Sequence, residues 1–105
     1  MSFSLEEIGR RVGRAAVEYN SQAAPDERIV RVSVFGSYAE GAQGEGSDVD
    51  LLVAFSSPVV GLFSLARVLD AMEEHVGLPV DVVQDPLPED ALLTISSKVL
   101  VYEAA

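Results

Sequence analysis

Apolar residues near the N-terminus recur at helical spacing. Leu5, Ile8, Val12, Ala15, Ala16 and Tyr19 fall on one face, the signature of an amphipathic helix. Ser4-Leu-Glu-Glu7 is a capping box at its start, and Phe3 can staple to Ile8 across it. Arg10, Arg11 and Arg14 lie on or near the opposite face and read as a solvated surface. The helix fades by Asn20, ahead of Pro25. The period then drops to two. Val30, Val32 and Val34 alternate with Arg31 and Ser33, so residues 29–35 read as a strand ended by Gly36. Ser37-Tyr-Ala-Glu40 repeats the capping-box pattern and predicts a short helix from Ser37, with Glu40 as the box acid. Glycines at 41, 44 and 46 predict a loop, and Asp48 to Phe55 a second strand. A third helix carries Leu62, Leu65, Leu69, Met72 and Val76 on one stripe, with Gly77 as its C-terminal cap. Pro79 to Gln84 reads as a third strand and Lys98 to Tyr102 as a fourth. Residues 89–95 read as a short helix between them. Helices alternating with strands predict an α/β fold, with residues 1–105 as one domain.

Charge changes that picture more than size does. The chain has 17 acidic residues against seven Lys and Arg, a formal net charge of −10. Such a surface repels polyanions, so direct nucleic-acid binding is not expected. It suits a basic protein partner, or a site where a divalent ion neutralises clustered carboxylates. There is no cysteine, so neither a disulfide framework nor a thiolate zinc site is available. No secretory leader or bilayer-length apolar run is evident, so no membrane association is expected and the cytoplasm is the expected compartment.

Candidate chemistry concentrates in FGSYAEGAQGEGSDVDLLVAF, Phe35 to Phe55. Side chains alternate across a strand, so Asp48 and Asp50 share a face and Val49 takes the other. Carboxylates that close repel one another unless a cation sits between them. Mg²⁺ suits this place, because it takes oxygen ligands from one or two carboxylates and from substrate phosphates. Asp81, inside Val80-Asp-Val82 on a strand that can neighbour the second, would supply a third acid. Gly36-Ser37 is the complementary part. It follows a strand and opens a helix, where backbone N–H groups attract phosphate and glycine permits close approach. Each feature alone has a plainer reading: Asp48 as a strand-end cap, Ser37 as a helix cap. A carboxylate inside Val-Asp-Val is harder to explain without a partner. Tyr38 can stack on a base or pack on the sheet. His75, the only histidine, sits near a helix end, where a role as general base is not expected.

Gly36-Ser37, ten residues, then Asp48-Val-Asp50, with VDVV at 80–83, resembles the nucleotidyltransferase superfamily that includes DNA polymerase beta. GSYAEG followed by SDVDLLV is most similar to the minimal nucleotidyltransferase (MNT) antitoxins paired with HEPN toxins. The resemblance extends from the first helix to the closing VLVYE. It implies a nucleotidyltransferase fold with a mixed β-sheet and helices packed on it. It also implies Asp48, Asp50 and Asp81 as catalytic metal carboxylates for Mg²⁺, and Gly36 and Ser37 as nucleotide-binding residues for ATP. The implied activity is transfer of AMP from ATP to a tyrosine of a HEPN-type toxin, within a hetero-oligomer that silences the toxin. Two positions depart from the family: Glu40 stands where many relatives have a basic residue, and Lys98 where relatives often have glycine. Glu40 favours a rival reading, an antitoxin that neutralises by binding alone. A small-molecule nucleotidyltransferase is a further alternative, but the chain is short for a second substrate wall.

Overall fold

Ser4 starts the first helix as its sequence predicts. Its hydroxyl accepts the Glu7 backbone N–H at 3.1 Å, satisfying one of the donors that every helix start leaves unpaired. The reciprocal half of the box is missing, because the Glu7 carboxylate turns instead to Arg10 and Arg11. The computed structural model describes residues 3–44, 46–86, 95 and 97–104. Helix α1 spans Leu5–Gln22 and a 3-10 turn spans Pro25–Glu27. They are followed by β1 (Ile29–Phe35), α2 (Ser37–Glu40), β2 (Val49–Phe55), α3 (Leu62–Val76), β3 (Val80–Asp85) and β4 (Lys98–Glu103). The short helix expected over residues 89–95 lies almost wholly outside the described residues.

The four strands form one mixed sheet in the order β3-β2-β1-β4. β1 runs antiparallel to both β2 and β4, while β2 and β3 are parallel. A parallel neighbour needs a crossover, and α3 supplies it. α1 and α3 pack on the same sheet face. Ile8, Val12, Ala15 and Ala16 of α1 meet Val68, Met72 and Val76 of α3 over Val32, Val34, Val49, Leu51 and Val53. Asn20 ties the end of α1 to the start of β1, donating to the Ile29 carbonyl at 2.9 Å and accepting its N–H at 2.8 Å.

Three expectations are corrected here. The buried line of α3 is Ser64, Val68, Met72 and Val76, while Leu62 is 84% exposed. Leu65 and Leu69 flank the line and pack only partly against the core. The helix is rotated from its leucine stripe so that Val68, Met72 and Val76 meet α1 and the sheet. The arginine face of α1 is not simply solvated: Arg11 lies 4.1 Å from the Phe3 ring and donates to the Val76 carbonyl at the end of α3. That places a cation where the α3 dipole is negative. The second capping pattern, at Ser37, is not a cap at all. Gly36 takes the N-cap position and Ser37 is the first helical residue. Gly77 does cap α3, at φ +78° with its N–H on the Glu73 carbonyl. No helix among the described residues is long and apolar enough to cross a membrane.

Candidate active site

β2 presents two different faces. Val49, Leu51, Val53 and Phe55 point into the helix-covered core. Asp50, Leu52 and Ala54 therefore point to the other side. On that side Asp50 is directly paired with Asp81 of β3. The pairing is fixed at the strand starts. The Val49 N–H donates to the Pro79 carbonyl at 2.9 Å, and the Val80 N–H donates to a Glu73 carboxylate oxygen at 3.3 Å. In the adjacent loop the Ser47 hydroxyl accepts the Gly44 N–H at 2.9 Å.

The electrostatics follow from this pairing. Burial pushes the Asp50 carboxyl above the usual carboxylate range, and the charges of Asp81 and Asp48 and a close contact with Asp81 push it further. Asp50 is half-buried, whereas Asp48 and Asp81 are exposed. Asp50 and Asp81 are brought together, and Asp48 acts on Asp50 from the exposed approach to β2. Among the described residues no three metal-ligating side chains close on one point. Two mutually repelling carboxylates side by side at the starts of β2 and β3 nevertheless fit a hard divalent cation that takes its remaining ligands from phosphate and water.

Gly36 faces this pair from the end of β1. It has φ +70°, a conformation that L side chains rarely adopt, and a Cβ placed there would stand 2.2 Å from Asp50 Oδ2. The glycine thus makes room for the carboxylate as well as for the turn. Ser37 follows at the head of α2. Among the described residues no side chain caps that helix start, so the Ser37 hydroxyl and the first N–H groups remain available to a ligand. One turn later the chain is closed off by Gly41, whose N–H returns to the Ser37 carbonyl. Tyr38 is 2% exposed within the core, which removes it as a base-stacking residue. Glu40 is exposed at the end of α2 and is not the acid of a capping box. His75 is held by Glu18 at 2.6 Å, on the helix layer.

One residue in the neighbourhood escaped the reading of the sequence, beyond being a departure from relatives. Lys98 pairs with Phe35, Phe35 with Asp50, and Asp50 with Asp81. No periodicity could place Lys98 in that row, because its register depends on a bulge in β4.

With this geometry in place, the likenesses to known proteins become specific. The model of the nucleotidyltransferase domain matches residues 14–102. A Methanocaldococcus jannaschii protein named "Putative protein adenylyltransferase" is 40% identical over 76 residues, covering 69% of this chain and 81% of that protein. A solved structure described as a "putative minimal nucleotidyltransferase" is 38% identical with a TM-score of 0.59, covering 78% of each chain. A chain from the complex of a tri-AMPylated Shewanella oneidensis HEPN toxin with an MNT antitoxin shares the fold at 12% identity. Its TM-score is 0.58, and the match covers 91% of this chain and 73% of that one. The matched segment contains Gly36, Ser37, Asp48, Asp50 and Asp81, and the chain belongs to the nucleotidyltransferase domain family.

Proposed function

We propose that this chain is a cytoplasmic antitoxin. It transfers AMP from ATP to a tyrosine of a HEPN-type toxin bound to it, and so silences the toxin. The observation that carries the reading is the direct pairing of Asp50 with Asp81 on the sheet face away from α1 and α3, with Gly36 against Asp50. The adenylyltransferase relative and the AMPylated toxin complex support the choice of reaction and of partner. A net charge of −10 supports a basic partner surface.

Asp50 and Asp81 would hold Mg²⁺, with Asp48 as the outer ligand. When bound, the ion supplies charge neutralisation and polarisation at the α-phosphate. The chain's own residues do the rest by position. Ser37, through its N–H and hydroxyl, holds the phosphates beyond the scissile bond. Gly36 keeps the approach to Asp50 clear. Asp81 is exposed and lies beside the path of the incoming hydroxyl, where it orients that group and can accept its proton. The acceptor oxygen bonds to the α-phosphorus, the α–β bridging bond breaks, and pyrophosphate departs.

The test mixes the chain with its cognate toxin and Mg-ATP and follows toxin mass and RNase activity. AMP addition with loss of RNase activity is expected, and Asp48→Ala with Asp50→Ala stops the mass shift. If that double variant still neutralises the toxin fully, with no AMP added even by the wild type, the reading gives way to neutralisation by binding. The exposed Glu40, three residues after Ser37, favours that second reading.

A further inference from the structure

The strand registers place one cation in line with the paired acids. Lys98 is the first residue of β4 and stands opposite Phe35. Phe35 stands opposite Asp50, and Asp50 opposite Asp81. Directly paired residues project to the same sheet face. A single transverse row therefore runs Lys98–Phe35–Asp50–Asp81 across all four strands. Strands lie about 4.8 Å apart, so the Lys98 backbone stands roughly 10 Å from that of Asp50. The flexible four-carbon stem of a lysine covers much of that gap.

The row exists because β4 is bulged. Arg31 pairs with Glu103 and Val32 with Tyr102, but Ser33 pairs with Leu100, leaving Val101 as the extra residue. With an unbroken register Val99 would face Phe35, and Lys98 would turn to the helix side, since a slip of one residue reverses every side chain. The bulge instead sends Val101 against Gly9 of α1 and leaves Val99 beside Leu5. Bulges re-aim side chains in this way near active sites.

Lys98 is also exposed, and among the described residues it forms no ion pair. The other cations lie elsewhere. Arg10 and Arg11 bind Glu7, Arg67 binds Glu27, and Arg31 reaches Asp85 toward the far end of β3. Arg14 is on the outer surface of α1 and Arg28 precedes β1. A lysine on an edge strand also guards against edge-to-edge pairing. That accounts for a lysine on β4, but any position along the strand would serve.

We propose that Lys98 is the polyphosphate-binding cation of the nucleotide site. It contacts the terminal phosphates of a nucleoside triphosphate whose α-phosphate lies at Asp50 and Asp81, and so selects triphosphate over monophosphate. The proposal rests on the reading of this face as a nucleotide site.

The test measures calorimetric binding of Mg-ATP, AMP and magnesium tripolyphosphate to the wild type, Lys98→Met and Lys98→Arg. Mn²⁺ binding and melting temperature are followed alongside. Lys98→Met should weaken ATP and tripolyphosphate about tenfold, the effect of losing one charge-assisted contact. AMP binding, Mn²⁺ binding and melting temperature should not move, and Lys98→Arg should retain most of the affinity. If Lys98→Met binds ATP as the wild type does, or weakens AMP equally, the role assigned to Lys98 is wrong while the nucleotide site stands. A wild type that binds neither ATP nor tripolyphosphate overturns the nucleotide site and this role together.

Discussion

The pattern Ser-x-x-Glu occurs twice before a predicted helix, and the two copies behave differently. At Ser4 the hydroxyl accepts the Glu7 N–H, and Glu7 is engaged by two arginines. At Ser37 neither half of the box forms. The N-cap position has moved back to Gly36, and Glu40 is left exposed. Local polar groups that satisfy one another build a helix end. The same groups left unsatisfied, and facing a pair of acids, are available to a ligand. The difference comes from one residue. Gly36 adopts φ +70°, a conformation that lets β1 run straight into α2 beside Asp50 and displaces Ser37 from the cap.

Replacing that glycine is the strongest way to break the comparison. In Gly36→Ala the new Cβ meets Asp50 Oδ2 at 2.2 Å and Cγ at 3.1 Å, in a backbone conformation that is itself strained. The expected loss of stability is about 1–3 kcal/mol. Displacement of Asp50 should lower AMP transfer about a hundredfold or more, the usual consequence of misplacing a reacting group by an ångström. A variant that unfolds at the wild-type denaturant midpoint would show that the turn relaxes freely and that Gly36 imposes nothing.

The paired serine substitutions separate structure from site. Ser4→Ala should cost about 1 kcal/mol of stability through the lost cap and leave transfer intact. Ser37→Ala should do the reverse, with stability within a few tenths of a kcal/mol and transfer down about tenfold, the scale of one lost hydrogen bond to a charged group. Denaturant unfolding and AMP incorporation measured on both variants give a crossed pattern. Parallel losses in the two would mean that Ser37 is structural after all.

How far the sequence discloses these roles depends on the range of the interactions involved. The extents of β1 and α3 and the Gly77 cap follow from periodicity and local chemistry, and the structure has them at the expected residues. The meeting of Asp50 and Asp81 was also legible, because each aspartate heads an apolar strand and α3 between them is a fitting parallel crossover. What escaped depends on contacts distant in sequence. The rotation of α3 that exposes Leu62 is set by how α1 packs against it. The burial of Tyr38 depends on α2 folding down over the sheet. The place of Lys98 depends on a single extra residue, Val101, which a sequence pattern cannot distinguish from an unbroken strand.

The paired glutamates give a smaller contrast. Glu40→Arg should tighten Mg-ATP binding several-fold by replacing repulsion with attraction at the phosphate end. Changing Glu7 to Gln should leave ATP affinity alone, because that carboxylate is occupied with Arg10 and Arg11 on the far side of the helix layer. Isothermal titration of both variants checks the pair. Equal ATP affinity in wild type and Glu40→Arg would place Glu40 away from the nucleotide.

The smallest effect is on the metal-free protein, and it contrasts the unsatisfied site with the satisfied cap as a function of pH. Asp50 is held above the usual carboxylate range, first by burial and then by Asp81 and Asp48. An unfolded chain releases that proton near pH 3.9, so between there and the raised value the native state binds more protons than the unfolded one. The free energy of unfolding therefore falls as pH rises through that window. Asp50 favours the fold when protonated and opposes it once charged. Glu7 has the opposite sign. Its hydrogen bonds to Arg10 and Arg11 hold it below its ordinary value, so its contribution is present at neutral pH and fades as acid protonates it. Melting curves of wild type and Asp50→Asn from pH 3.5 to 7 isolate the first group: the variant should gain in relative stability as pH rises, by a few degrees at most. Saturating Mg²⁺ should erase the gain, since the ion favours the charged form that the fold alone disfavours. If the two proteins keep a constant difference across the range, without metal and with it, then Asp50 does not feel Asp81 and the pair cannot act as one site.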